Sequence, residues 1–183
     1  MFAKYAAAAS MLVAVSAPAF AQQDAPKENL QVFREVQREV LRYPHFTIFD
    51  SVNAQIEDGV VVLTGKVTMP YKKNEIAKRV SRLTGISEVQ DKIEVLPVSQ
   101  FDDQLRYQIA RAIYGNPMFV NYDSMVNPPI HIIVDRGRVT LEGVVNSNVE
   151  RMLARSIATS FLAFDVTNAL QTDKEAKERL EKL

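Results

Sequence analysis

The sequence predicts an α+β chain made of two tandem αββαβ modules, each a three-stranded sheet with two helices on one face. Three observations carry that prediction: a ten-residue block that occurs twice, amphipathic helical patterns before and after each copy, and a closing alternating stretch. The block Asp58-Gly59-Val60-Val61-Val62-Leu63-Thr64-Gly65-Lys66-Val67 recurs as Arg136-Gly137-Arg138-Val139-Thr140-Leu141-Glu142-Gly143-Val144-Val145, matching at Gly, Val, Leu, Gly and Val.

Residues 1–21 read as a signal peptide. Lys4 supplies the positive start, Tyr5 to Ser16 an apolar and small-residue run, and Ala19-Phe20-Ala21 a cleavage site after Ala21. That run is shorter than the roughly 20 residues a membrane-spanning helix needs, and nothing later in the chain is long enough either. Cleavage leaves Gln22 first, with no cysteine to acylate, and residues 22–28 form a linker. The expected location is the periplasm, where a chain with no cysteine must stand on its hydrophobic core alone.

The first module spans residues 29–97. Leu30, Phe33, Val36, Val40 and Leu41 share a helix face, and Pro44 follows the helix. Val52 to Glu57, the pair Asp58-Gly59 and the repeated block form a β-hairpin whose turn glycine supplies a positive φ. A second helix turns Ile76, Ala77, Val80 and Leu83 inward and stops at Gly85. Val89, Asp91, Ile93 and Val95 then alternate along a last strand.

After the short linker Pro97 to Gln100, the second module, residues 98–171, repeats the order. Its first helix carries Leu105, Ile109, Ala112 and Ile113, with Asp102 and Asp103 suited to a helix start. Asn116 to Pro129 reads as an irregular insertion. Ile130 to Asp135 and the second block make the hairpin, with Gly137 at its turn. Leu153, Ala154, Ile157 and Phe161 mark the next helix, and Val166, Asn168 and Leu170 the final strand. Residues 172–183 form a charged helix opened by the capping box Thr172-x-x-Glu175. Gly59, Gly65, Gly137 and Gly143 are the structural glycines of the repeat.

In the hairpin strands Val61, Leu63 and Val67, and likewise Val139, Leu141 and Val145, point to one side, where the helices bury them. The opposite side carries Val60, Val62, Thr64 and Lys66 in the first copy and Arg138, Thr140, Glu142 and Val144 in the second. Packing between the modules accounts for the more apolar first copy; a partner surface is the alternative.

The pattern of helix, hairpin with D-G-x-V-x-L-x-G-x-V, helix with Ala77 to Val80, and Gly85-Ile86-Ser87-Glu88-Val89 resembles the BON family. The second copy matches at Gly137 to Val145 and Ala154 to Ile157, and departs at Ala163-Phe164-Asp165-Val166, where one residue is missing and alanine replaces the expected glycine. A signal peptide followed by two such modules is the layout of the osmotically inducible periplasmic proteins. The resemblance implies a non-catalytic envelope module associated with phospholipid binding, outer-membrane maintenance or chaperoning in stress. It brings no catalytic residues with it.

Composition and chemistry agree with a binding role. The 22 basic and 22 acidic residues cancel, which argues against nucleic acid as a partner. The chain holds no HExxH helix, P-loop or G-x-S-x-G elbow, and neither a cofactor nor a metal is expected. His45 and His131 read as polar or packing residues, and Glu57, Asp58 and Asp135 as turn residues. The strongest charged feature is Lys72, Lys73, Lys78, Arg79 and Arg82 on or beside the first module's second helix, preceded by Met69-Pro70-Tyr71. Basic side chains beside Met69 and Tyr71 suit a membrane interface with anionic phospholipid, while a solvated helix face is the plain alternative. An envelope protein is the competing partner, bound by a chaperone-like surface.

Overall fold

The computed structural model describes residues 25–181; the expected signal peptide and cleavage site lie outside the described residues. The elements are α1 (Ala25–Leu41), β1 (Ser51–Glu57), β2 (Val60–Val67), α2 (Pro70–Val80), β3 (Glu88–Val95), α3 (Gln100–Tyr114), α4 (Val120–Asp123), β4 (Ile130–Asp135), β5 (Arg138–Val145), α5 (Asn148–Thr159), β6 (Asp165–Thr172) and α6 (Asp173–Leu180). They form the two αββαβ units the repeat predicts. Each sheet keeps its hairpin antiparallel and adds its last strand parallel to the middle one, in the orders β1-β2-β3 and β4-β5-β6. The crossover helices α2 and α5 make that parallel return possible.

Two cores result. Val32, Val36 and Val40 of α1 meet Val61, Leu63 and Val67 of β2, with Ile76 and Val80 of α2 and Ile93 of β3. Leu30, Phe33 and Leu41 sit half-buried at the margins, so the stripe centres on Val32. The second core repeats the scheme with Leu105, Ile109, Ile113, Val139, Leu141, Val145, Ala154 and Leu170. It also takes Phe119 and Tyr122 from the 116–129 stretch, which forms a 3-10 turn and α4 rather than an irregular insertion. Phe119 is fully buried, and burial drives the local order.

Both hairpin turns place two residues at positive φ, Asp58 at 49° with Gly59 at 77°, and Arg136 at 51° with Gly137 at 74°. That is the mirror-image turn that follows strand twist. Arginine is a poor residue there, and the buried carboxylate of Asp102 compensates by accepting from Arg136 N at 2.9 Å and Gly137 N at 2.8 Å. Asp102 therefore anchors the hairpin, and the α3 start is capped by Ser99, which accepts from Asp102 N at 3.2 Å. The shortened turn before β6 keeps the register of the first module. Phe164 N donates to Gly137 O at 2.8 Å as Ser87 N does to Gly59 O, also at 2.8 Å.

One residue on the open edge of each parallel strand is capped by nearby side chains. Ile93 N donates to Asp91 Oδ1 at 3.0 Å, and Ile93 O accepts from Lys73 Nζ at 2.7 Å. The equivalent Leu170 N donates to Asn168 Oδ1 at 3.3 Å.

The modules meet through the segment after α1. Ile48 and Phe49 pack against the second core, Phe49 lies edge-on to Tyr107 with ring centres 5.2 Å apart, and Ile132 N donates to Ile48 O at 2.7 Å. His131 Nδ1 sits 2.6 Å from Asp50 O, to which it donates as the neutral Nδ1–H tautomer. Outward faces of both sheets also approach each other. Lys66 pairs with Asp135 at 2.5 Å, Ser51 donates to Glu142, and Ile133, on the outward side of β4, is 4% exposed. Asp135 thus joins modules rather than merely serving a turn; the Lys66 hydrogen bond holds its carboxyl below the usual range.

Burial pushes the His131 imidazole below its ordinary value, against the opposing pull of the Asp50 carbonyl and of Glu142, its cross-strand neighbour. The docked modules therefore favour neutral imidazole. Both states are neutral well above the free value of 6.5, so docking is pH-independent there. As pH falls through that value the undocked state takes up the proton first, and docking weakens until the lowered value is passed. Thermal melts between about pH 7.5 and 5.5 should show this loss, and His131→Gln, which keeps a donor for Asp50 O, should remove its histidine component.

Candidate functional site

The residues singled out on α2 do not form one basic surface. Lys72 is buried; its ammonium donates to Asp50 Oδ2 at 2.6 Å and to Thr68 Oγ1 at 2.7 Å. Asp50, 0% exposed, also accepts from the backbone N–H and hydroxyl of both Thr47 and Thr68 at 2.8 to 2.9 Å. Lys72 therefore secures the start of α2 and is unavailable to a surface ligand. Lys73 is committed to the β3 edge, through Ile93 O and Asp91 at 3.8 Å. Arg79 pairs with Glu39 at 2.8 Å and lies 5.1 Å over the Tyr43 ring. Lys78 and Arg82 are exposed, with Lys78 3.5 Å from Glu75, and Arg82 makes no ion pair among the described residues. Met69 and Tyr71 are about half exposed at the α2 start, where Tyr71 stands edge-on to the exposed His45, ring centres 5.9 Å apart.

The matching position of the second module is rebuilt with the opposite charge. Glu150 replaces Lys72 and accepts from Tyr122 Oη at 2.6 Å, while Asn146 N donates to Tyr122 Oη at 2.9 Å and Glu150 Oε2 at 3.0 Å. Burial and that bond to a carboxylate push the Tyr122 phenol up to about 12.

A different surface stands out at the hairpin end of the second module. Phe101 and Phe164 stack with ring centres 6.2 Å apart, against the backbone of Gly137, and are 45% and 79% exposed. Leu162, in the same turn, is 86% exposed. Arg136 and Arg138 flank the turn and are exposed. Large apolar groups in water are unfavourable by roughly 25 cal/mol per Å², so these exposed rings and Leu162, next to a turn that carries the exposed Arg136, stand out as a surface patch, whereas Arg138 lines a groove shared with Ser51 and Lys66 of the first module. At the corresponding tip the first module has Asp58, Ser87 and Glu88, with no aromatic residue.

No group of three or more potential metal ligands occurs among the described residues. No helix among them is long and apolar enough to cross a membrane.

Comparison with known proteins agrees with the repeat. The family model described as "BON domain" matches residues 31–97 and again 102–174, together most of the chain. No curated protein matches it. Among solved structures, the C-terminal domain of CdsD, described as the structural protein of the type III secretion system of Chlamydia trachomatis, is 15% identical. That alignment covers 82% of this chain and 69% of that one, with a TM-score of 0.32. A second CdsD structure is 12% identical over 82% of this chain and 97% of that one, with a TM-score of 0.29. Both superpose poorly as wholes. BON domains are binding modules of envelope and periplasmic proteins, linked to phospholipid. Two family-model matches in tandem, each falling on one αββαβ unit, place this chain in the BON domain family.

Proposed function

We propose that the protein is a non-catalytic periplasmic component of the cell envelope, released after Ala21, that contacts anionic phospholipid in envelope maintenance or stress. The observation that carries the proposal is the exposed Phe101–Phe164 stack with Leu162, next to the turn that carries the exposed Arg136. A patch of this kind suits an interface: rings and leucine enter the boundary of headgroups and acyl chains, and Arg136 meets phosphate. Each such charge contributes about 1 kcal/mol at an anionic surface and is weakened by salt. The α2 surface of the first module, reduced to Met69, Tyr71, Lys78 and Arg82, is a second contact of the same type.

Co-sedimentation of the mature protein with anionic and zwitterionic vesicles, at low and high salt, tests this. Binding should require anionic lipid and be lost in Leu162→Ser/Phe164→Ser, with a smaller effect from Lys78→Glu/Arg82→Glu. Absence of vesicle binding at low salt would refute it.

A chaperone-like reading is favoured by a separate observation. Met118, Val120, Met125 and Val126 are exposed before, on and after α4, and flexible apolar side chains such as methionine adapt to varied polypeptides. Suppression of aggregation of an unfolded outer-membrane protein, insensitive to salt and lost in Met118→Ser/Val120→Ser/Met125→Ser, would select that reading.

A further inference from the structure

The exposed face of α5 borders a shallow groove of about 550 Å³, whose polar lining comes from Asn148, Arg151, Arg155, Ser156 and Thr159, with Asn168 of β6. Its lining is rich in donors. Arg151 is held in place by three neighbours. Its Nε donates to Asn148 Oδ1 at 2.9 Å, its Nη1 lies 3.1 and 2.9 Å from the two carboxylate oxygens of Glu175, and its backbone carbonyl accepts from Asn168 Nδ2 at 2.9 Å. Arg155, about one helical turn further on, is exposed and makes no ion pair among the described residues. The groove thus presents two guanidinium groups on one helix face with hydroxyls beside them, and one carboxylate occupies half of that charge.

That carboxylate comes from α6. Thr172 and Glu175 form a reciprocal capping box, and the Thr172 backbone and hydroxyl hold the Glu175 carboxyl below its usual range. Glu175 therefore stays ionised at neutral pH and delivers its charge to Arg151 from a fixed position.

We propose that the α5 groove binds a phosphate group between Arg151 and Arg155, and that Glu175 is the internal anion this phosphate displaces. Guanidinium planes match phosphate oxygens in paired hydrogen bonds, which is why two arginines rather than two lysines suit the task. Phosphate carries more charge than one carboxylate and reaches both arginines at once, whereas Glu175 reaches one. If the phosphate belongs to a lipid headgroup, the groove deepens the phospholipid reading and rests on it; if it is soluble, the groove stands alone.

The test is a ¹H–¹⁵N titration of the mature protein with inorganic phosphate, alongside co-sedimentation with phosphatidic acid vesicles. Glu175→Gln is the informative variant, because glutamine still completes a capping box while losing the charge. Saturable shifts on α5 and α6 amides are expected, with affinity raised several-fold in Glu175→Gln and lowered about tenfold or more in Arg155→Gln. No saturable shift, equal affinity in Glu175→Gln and wild type, or unaltered binding in Arg155→Gln would overturn the proposal. The tip variant Leu162→Ser/Phe164→Ser separates the two ideas: phosphate binding retained with vesicle binding lost supports a groove that works independently of membrane insertion. Phosphate binding by a wild type that ignores vesicles leaves the groove standing, with a soluble ligand, while the phospholipid reading fails.

Discussion

Replacing Asp50 with alanine should destabilise the first module by about 3 to 5 kcal/mol, enough to unfold much of it under mild conditions. The carboxylate is wholly buried, and five donors converge on it: two from Thr47, two from Thr68 and the Lys72 ammonium. Removing it leaves an uncompensated buried cation and strands the N–H of Thr68 just before α2. Because Ile48, Phe49 and the Asp50 carbonyl join the modules, docking should weaken as well. Urea denaturation followed by circular dichroism measures the loss. The double variant Asp50→Ala/Lys72→Met should recover part of it, since methionine fills a similar volume without a charge. Equal stability of Asp50→Ala and wild type would show that water replaces the network without cost.

Gly143→Ala should be nearly as damaging, at about 3 kcal/mol or more, and it acts on the second module. Gly143 has φ 120°, and a Cβ there would fall far inside contact distance of the Pro129 carbonyl oxygen on the neighbouring chain segment. Gly65 stands in the same relation to the Ser51 carbonyl, with φ 121°. Two penalties combine: a backbone conformation that L residues rarely adopt, and overlap with backbone atoms that cannot rotate away. The measurement is again the denaturation midpoint, with the first module's amide signals as an internal control. Loss confined to the second module is expected; a midpoint within about 0.5 kcal/mol of wild type would mean that the hairpin opens to admit the methyl group.

The fold was legible because its determinants are short-range and repeated. Gly59 and Gly137 announce the turns, and Val61, Leu63 and Val67 announce the buried side by their alternation. The fate of Lys72 was also legible in principle. It precedes Ile76 by four residues and Val80 by eight, so the spacing that turns those two inward turns the lysine inward too. What hid it was chemistry: an inward lysine needs an anion, and Asp50 lies 22 residues away, beyond any local pattern. The tip of the second module was hidden for a different reason. Ala163-Phe164-Asp165-Val166 reads as a departure from the repeat, and only the fold shows that this departure brings Phe164 onto Phe101, 63 residues distant. Arg151 and Glu175 likewise meet through the docking of α6, which periodicity cannot foresee.

The capped residues on the edges of β3 and β6 bear on how such a chain behaves when crowded. An unpaired strand edge is a template, and a protein with two similar sheets offers each edge a near-identical copy to recruit. At Ile93 the amide hydrogen and the carbonyl are already occupied by Asp91 and Lys73, and at Leu170 the amide is occupied by Asn168. An incoming strand would have to displace the side chains seated there before it could bond at Ile93 or at the Leu170 amide. Strand addition is therefore hindered within each parallel edge, where a second copy of the sheet would most encourage it. Both copies carry such a cap at the same place in the sheet, opposite the structural glycines Gly65 and Gly143.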